Sequence, residues 1–497
     1  MSSSPVERAA SAPSPASSPL NDLVQLNAVA LSRAIHQREV SCLEVLDAFQ
    51  AQIAHHNPRV NALVALADPE PLRDLARERD AQLARGQSLG VLHGFPQAPK
   101  DIAPVEGLIT TRGSPLFKGQ RTRLDAQVFE RMRAAGALFI GRSNSPEFGL
   151  GGHTYNPVYG ITRNAFDPSR SAGGSSGGAG VAVALNMLPL ADGSDMMGSL
   201  RTPAAFNHVF GFRPSVGCVP QGPADEVFFQ QFGVSGPMAR NVPDLGLLLS
   251  VQAGFDARQP LTRQQDPRVY AGPLGRDFQG TRIGWLGDLG GHLATEPGVL
   301  PLCEQALRHF DSLGCTVEAV RPQADLERVW MAWLDLRAFQ MAGNYAVLYH
   351  DPARRAQLKP EAVWEIERGL ALSGQDVFRA ASVRSHWYQA LRSLFEQVDY
   401  LVLPTAQVFP FEAEQHWPAE VGGRAMDTYH RWMEVVIAAT LAGLPALSVP
   451  AGLGGPEGRW PVGLQLIGPT QADLAVLQLG HAYDQVGGFS KVRSPWL

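Results

Sequence analysis

Cysteine is scarce: Cys42, Cys218, Cys303 and Cys315 are the only four in 497 residues, and no pair stands at metal-ligand spacing. A disulfide framework and a cysteine-built metal site are thereby excluded, and a reducing cytoplasm is the expected compartment. Net charge is small as well, with 42 Lys and Arg against 47 Asp and Glu leaving -5. Without a basic stripe, nothing marks a surface for phosphate backbones or anionic lipid, so neither nucleic acid nor membrane is an expected partner. Long apolar runs are missing too. One of the longest, residues 435–449, is broken by Gly443 and Pro445, and it falls short of the roughly 20 residues that a membrane helix needs. The first 20 residues are rich in Ser, Ala and Pro and hold no hydrophobic stretch of signal-peptide type; they read as a disordered tail.

What is present is the composition of a globular protein, 45% hydrophobic and 18% charged, with 50 Gly and 38 Pro that imply many turns and loop-built surfaces. The chain is long enough to bury a substantial core. Its N-terminal region reads as helical. One amphipathic stretch covers about residues 27–37, a second starts at the capping box Ser41 to Glu44, and a third carries Leu72, Leu75, Ala76 and Leu83 before Gly86.

Downstream, the pattern turns to alternation. Residues 125–135 read as a helix stopped by Gly136 and followed by a strand over residues 137–140. Residues 299–313 read as a helix stopped by Gly314 and followed by a strand over 315–320, with further strands at 283–286 and 400–403. Such alternation predicts an α/β fold, a sheet covered by helices. Residues 323–423 carry Trp330, Trp333, Phe339, Tyr345, Trp364, Trp387 and Tyr388 at mostly helical spacing. These rings either wall a substrate pocket or simply fill core.

The segment over residues 171–214 holds two serine-containing turns. In the first, Gly173, Gly174, Gly177 and Gly178 surround Ser175 and Ser176, ahead of a helix expected over 179–185. The second, Ser194-Asp195-Met196-Met197-Gly198-Ser199, follows a strand expected over 188–191 and leads into Arg201. A turn between sheet and helix can present a hydroxyl together with backbone N–H donors, which are what acyl transfer requires. A serine also needs a base. His93, His153 and His208 lie nearest in sequence but stand in no triad phrase, whereas Lys100 stands in a loop with few other charges. It can serve as base only if burial or cationic neighbours lower its pKa from about 10.4.

The phrases LHGFPQAPKD, RNAFDPSRSAGGSSGG and GSDMMGSLRTPAAF, in this order, resemble the amidase signature family. GRSNSPEFG, VSGPMAR, LAGLPALSVPAG and PVGLQLIG extend the likeness over about residues 31–482. Lys100, Ser175 and Ser199, separated by 75 and 24 residues in turn, match the positions of that family's Ser-Ser-Lys triad. The resemblance implies one large domain with a central mixed, twisted β-sheet covered by helices on both faces. It also implies that Ser199 attacks an amide-type small molecule while Ser175, on a cis peptide, relays its proton to neutral Lys100. Backbone N–H groups of Met196, Met197, Gly198 and Ser199 would form the oxyanion hole, with no cofactor or metal.

The chain departs from the family at Met196 and Met197, where Thr or Ile followed by Gly is common. Pro99 and Ala172 are milder departures. The methionines reshape the acyl pocket and lean toward a bulky apolar acyl or aryl amide, with ester or carbamate cleavage as further activities. Asp195 is expected to anchor the turn and Arg201 to pin it or meet substrate, with a structural ion pair an equal alternative for either. Ser176 and Ser194 are expected to hydrogen-bond within the site. Two rival readings remain. The ammonia-releasing component of a tRNA-dependent amidotransferase shares these phrases, and Gly173-Gly-Ser-Ser-Gly177 also fits G-x-S-x-G, which would make Ser175 the attacker if a strand preceded it. Oligomeric state is open, and a homodimer is compatible with the sequence.

Overall fold

The computed structural model describes residues 19–229 and 231–497; the tail expectation thus falls almost wholly outside the described residues. The predicted N-terminal helices are present as Ala28–His36, Cys42–Val60 and Pro69–Ala84. The Ser41–Glu44 capping box forms in full, each side chain bonding the other's backbone N–H.

The centre of the molecule is an eight-stranded mixed sheet. Its strands in chain order are β1 (Ala191–Asp195), β2 (Phe210–Arg213), β3 (Val234–Ala239), β4 (Arg282–Trp285), β5 (Thr316–Ala319), β6 (Tyr400–Pro404), β7 (Ala446–Gly454) and β8 (Trp460–Ile467). Across the sheet they run β5-β4-β6-β8-β7-β2-β3-β1. β4 is parallel to β5 and β6, and the remaining pairings are antiparallel.

Side chains of a strand alternate between faces, and two separate cores follow from this. Val402, Leu447 and Leu466 join one core, packed with Leu248 and Leu477 from helices Val242–Gln252 and Asp473–Gly487. Their neighbours Leu401, Leu403, Ala446 and Ile467 join the other, with Trp330 and Trp387 from helices Leu326–Tyr349 and Gly374–Leu394. The sheet is therefore covered on both faces by one continuous domain. Trp330, Trp333 and Trp387 are core, while Trp364 stays 37% exposed.

Three expectations need adjusting. The strand read over 188–191 instead runs Ala191–Asp195, so Ser194 and Asp195, read as the start of the second turn, belong to the sheet; their side chains find partners described below. The strand over 137–140 contracts to Leu138–Phe139 and lies outside the main sheet, parallel to Pro96–Gln97. The helix over 299–313 divides into Val299–Ala306 and Arg308–Ser312.

Candidate active site

The small Pro96–Gln97 ladder carries the chain straight to Lys100, whose backbone bridges Ser143 in parallel fashion. Arg142 clamps the same loop by donating to the Lys100 carbonyl at 2.7 Å. The lysine side chain is thereby delivered into the protein at 1% exposure. Its Nζ donates to Ser175 Oγ at 2.7 Å, Ser176 Oγ at 2.9 Å and Ser194 Oγ at 3.1 Å. Three hydroxyls match the three N–H groups of an ammonium, and loss of one proton would turn the amine into an acceptor for one of them.

Burial lowers the Lys100 pKa to about 7, outweighing the carboxylates of Asp192 and Asp195 that favour the charged form. Asp192 belongs to no phrase that marks it as functional. Its Oδ2 accepts the Lys100 backbone N–H at 3.3 Å, and burial pushes its carboxyl up to about 6. Strand alternation is the signal that points to it: Asp192 and Ser194 share one face of β1, and both meet Lys100.

The glycine turn reaches the site through a cis peptide between Gly174 and Ser175. A loop comes before it, with isolated bridges at Arg163, Arg170 and Ser171 in place of a strand. The strand that a G-x-S-x-G elbow requires is absent there. The following helix begins at Gly177, two residues before its expected start. Its first amides are spent inside the protein, Gly177 N–H on Thr154 Oγ1 and Gly178 N–H on the Asn144 carbonyl.

Ser199 enters from the other turn. Its carbonyl accepts the Ser176 N–H at 3.1 Å, which docks the two turns together. Ser199 is 7% exposed, and among the described residues its hydroxyl has no hydrogen-bond partner. Gly198 sits at φ 75°, where a Cβ would come within 2.8 Å of Val436 and 2.9 Å of Thr202, so glycine is required on both counts. The Gly198 N–H already donates to Asp195 Oδ1 at 3.0 Å. Of the four amides expected to face an oxyanion, that one is engaged.

Asp195 and Arg201 lie at zero exposure and form an ion pair. Arg201 also donates to the Val436 carbonyl, Gln465 Oε1 and Thr440 Oγ1. Every terminal nitrogen is bound to the protein, which places this side chain in the scaffold and not against substrate. Arg213, which no motif brings forward, donates to the Asp195 carbonyl at 2.6 Å and to Oδ1 at 3.3 Å. Burial alone would raise the Asp195 carboxyl, but Arg201 and Arg213 together hold it well below the usual carboxylate range.

The nearby histidines stand apart from the lysine cluster. His153 bonds Ser171 Oγ at 2.7 Å and the Ala413 carbonyl at 2.8 Å, bracing the entry to the glycine turn, and burial lowers its pKa to about 4. His93 bonds the Arg79 carbonyl. Met197 is buried at 3% exposure, and Met196 packs at the edge of the same core.

Residues 44–477 match the family model described as Amidase. An acylamidase of Rhodococcus erythropolis is 33% identical over 93% of this chain and 95% of its own length. The A-type component of the glutamyl-tRNA(Gln) amidotransferase of Thermobifida fusca is also 33% identical, over 94% of this chain and 96% of its own. Among solved structures, a bacterial aryl acylamidase of the amidase signature family superposes with a TM-score of 0.89 at 27% identity, covering 95% of this chain and 98% of that one. The family match across most of the chain, with an acylamidase 33% identical over 93% of it and a solved amidase signature enzyme of the same fold, shows that this chain belongs to the amidase signature family and hydrolyses amide bonds.

Proposed function

We propose that the protein cleaves small-molecule amides through a covalent acyl-enzyme, with Ser199 as nucleophile, Ser175 as proton relay and Lys100 as base. The observation that carries this reading is the 2.7 Å contact from a fully buried Lys100 Nζ, with pKa near 7, to Ser175 Oγ. A neutral amine accepts the Ser175 proton while Ser175 takes that of Ser199. The Ser199 Oγ–carbon bond then forms. Backbone N–H groups of Met196, Met197 and Ser199 are the donors left to steady the oxyanion. The proton returns along the relay to the leaving nitrogen as the carbon–nitrogen bond breaks. Water, deprotonated by the same route, releases the carboxylic acid and restores Ser199.

The acylamidase relatives, together with Met196 and Met197 at the nucleophile turn, support an acyl or aryl amide with an apolar group as substrate. Ester and carbamate cleavage would use the same acyl-enzyme. The cytoplasm is the proposed compartment, supported by four free, buried cysteines. Among the described residues no helix is long and apolar enough to cross a membrane. Labelling with a fluorophosphonate tests the assignment: Ser199 should carry the adduct, and Ser199→Ala should lose both labelling and turnover. Full activity in that variant overturns it.

A second reading rests on the equal identity to the amidotransferase component, which would make the reaction a source of ammonia for a partner. Hydrolysis of anilides by the isolated chain eliminates it. Glutaminase activity that needs a co-purified protein favours it.

A further inference from the structure

On helix Leu326–Tyr349, Arg337 lies buried at 3% exposure within a closed polar triangle. Its Nε donates to Glu365 Oε1 at 2.5 Å and its Nη2 to the Tyr429 hydroxyl at 2.9 Å, while that hydroxyl donates to Glu365 Oε1 at 2.8 Å. The remaining terminal nitrogen, Nη1, is left with the Met196 sulfur at 3.6 Å as its acceptor among the described residues. A thioether is a weak acceptor, and a desolvated guanidinium N–H gains far more from an oxygen. Met196 is also a side chain that can leave, being flexible and partly exposed.

The surroundings connect this nitrogen to the serines. Met196 stands three residues before Ser199. On the wall formed by residues 149–151, a Cβ on Gly149 would meet nothing within 4 Å except Ser175 Oγ at 3.6 Å, and one on Gly151 nothing except the Tyr429 ring at 3.9 Å. Two neighbouring side-chain-free positions therefore open on Ser175 at one end and on the Arg337 triangle at the other.

We propose that Arg337 Nη1 is the specificity determinant of an acyl subsite: Met196 swings aside, and a neutral oxygen acceptor on the substrate's acyl chain, such as a ketone, ether or amide carbonyl, takes its place. The acceptor is neutral because Glu365 already balances the guanidinium, and a second carboxylate in that buried space would be repelled. This rests on the amide-hydrolase reading with Ser199 as nucleophile.

The test is a set of acyl p-nitroanilides in which a ketone is walked from the fourth to the seventh carbon, each compared with its all-carbon parent and with the isosteric carboxylate. One ketone position should exceed its parent by about tenfold in kcat/KM, as expected for a hydrogen bond to a charged donor, and the carboxylate should fall below both. Arg337→Met combined with Glu365→Leu, which removes both charges, should bring the ratio to about one, whereas Met196→Ala should preserve or enlarge it. If the double variant fails to fold, Arg337→Lys keeps a cation opposite Glu365 without the second terminal nitrogen and should also cut the ratio. Absence of any preferred ketone in the unmodified protein, or a ratio that survives Arg337→Lys, overturns the proposal. Calorimetric binding of the matching carboxamides to Ser199→Ala protein reads the same ratio without turnover. A preference in binding with no hydrolysis of any anilide counts against the Ser199 reading alone, and equal binding of ketone and parent counts against the subsite.

Discussion

Asp195 and Arg201 meet through two parallel hydrogen bonds of 3.0 Å, Nε to Oδ2 and Nη2 to Oδ1, with both side chains sealed from solvent. The pair brackets the turn that presents Ser199. Asp195 ends β1 and accepts the Gly198 N–H from within that turn, while Arg201 opens the short helix Arg201–Phe206 on its far side. Ser199, the proposed nucleophile, is thus suspended between two ends of one ion pair, and residues 436, 440 and 465 fasten the guanidinium to the rest of the fold.

Arg201→Met should therefore damage stability and activity together. Removing one partner of a buried pair typically costs about 3 to 5 kcal/mol, because the other charge is left uncompensated. Arg213 still contacts Asp195, so the lower end of that range is expected. Denaturant titration and kcat report the two effects, and an unfolding midpoint within error of the parent would contradict the anchoring role.

Activity should depend on the protonation of Lys100. With its pKa near 7, the neutral base is the minority form at pH 6 and dominates at pH 8, so kcat/KM should climb through this interval and level off above it. A flat profile between pH 6 and 8 for a substrate whose chemistry is slow would remove Lys100 from the role of base.

How far this site can be read in the sequence differs residue by residue. Lys100, Ser175 and Ser199 stand in compact phrases that survive as local turns, and the Ser41 capping box needs only four residues to form. Ser194 and Asp195 read as the start of the second turn, yet they close a strand that also takes in Asp192, because Lys100, Arg201 and Arg213 supply buried partners from elsewhere. Those partners are visible only once the sheet has placed β2 near β1. The Arg337, Glu365 and Tyr429 triangle is out of reach for the same reason: each member looks like an ordinary helix or loop residue until three distant segments converge.

Two glycines in one helix should behave oppositely. An added Cβ at Gly178 would lie 2.4 Å from the Ala62 carbonyl oxygen and 2.4 Å from the Asn144 amide nitrogen, both backbone atoms that cannot turn away. Asn144 adjoins Ser143, which bridges Lys100, so the displacement would reach the proposed base. Gly178→Ala is expected to cost about 3 kcal/mol or more and most of the activity. At Gly180 the nearest atoms stand at 3.2 and 3.3 Å, and better helix propensity offsets part of the crowding. Gly180→Ala should remain within about 1 kcal/mol of the parent in chemical denaturation; equal losses at the two positions would refute the contrast.

The low pKa of Lys100 also has a signature in stability. Its ordinary value is 10.5 and its folded value about 7, so between these limits the unfolded chain holds a proton that the folded chain has released. Unfolding then takes up a proton, and raising the pH stabilises the folded state across that window. The contribution is fully present above pH 10.5, and it is lost progressively as pH falls to about 7. Lys100→Met has no such proton to exchange. The stability difference between parent and variant should consequently shift in favour of the parent by several kcal/mol between pH 7 and 10.5. Because both proteins carry the same tyrosines and cysteines, their titration cancels in the difference. A difference independent of pH over the upper window would mean that Lys100 keeps its proton when folded, and the same result would remove the neutral amine on which the relay depends.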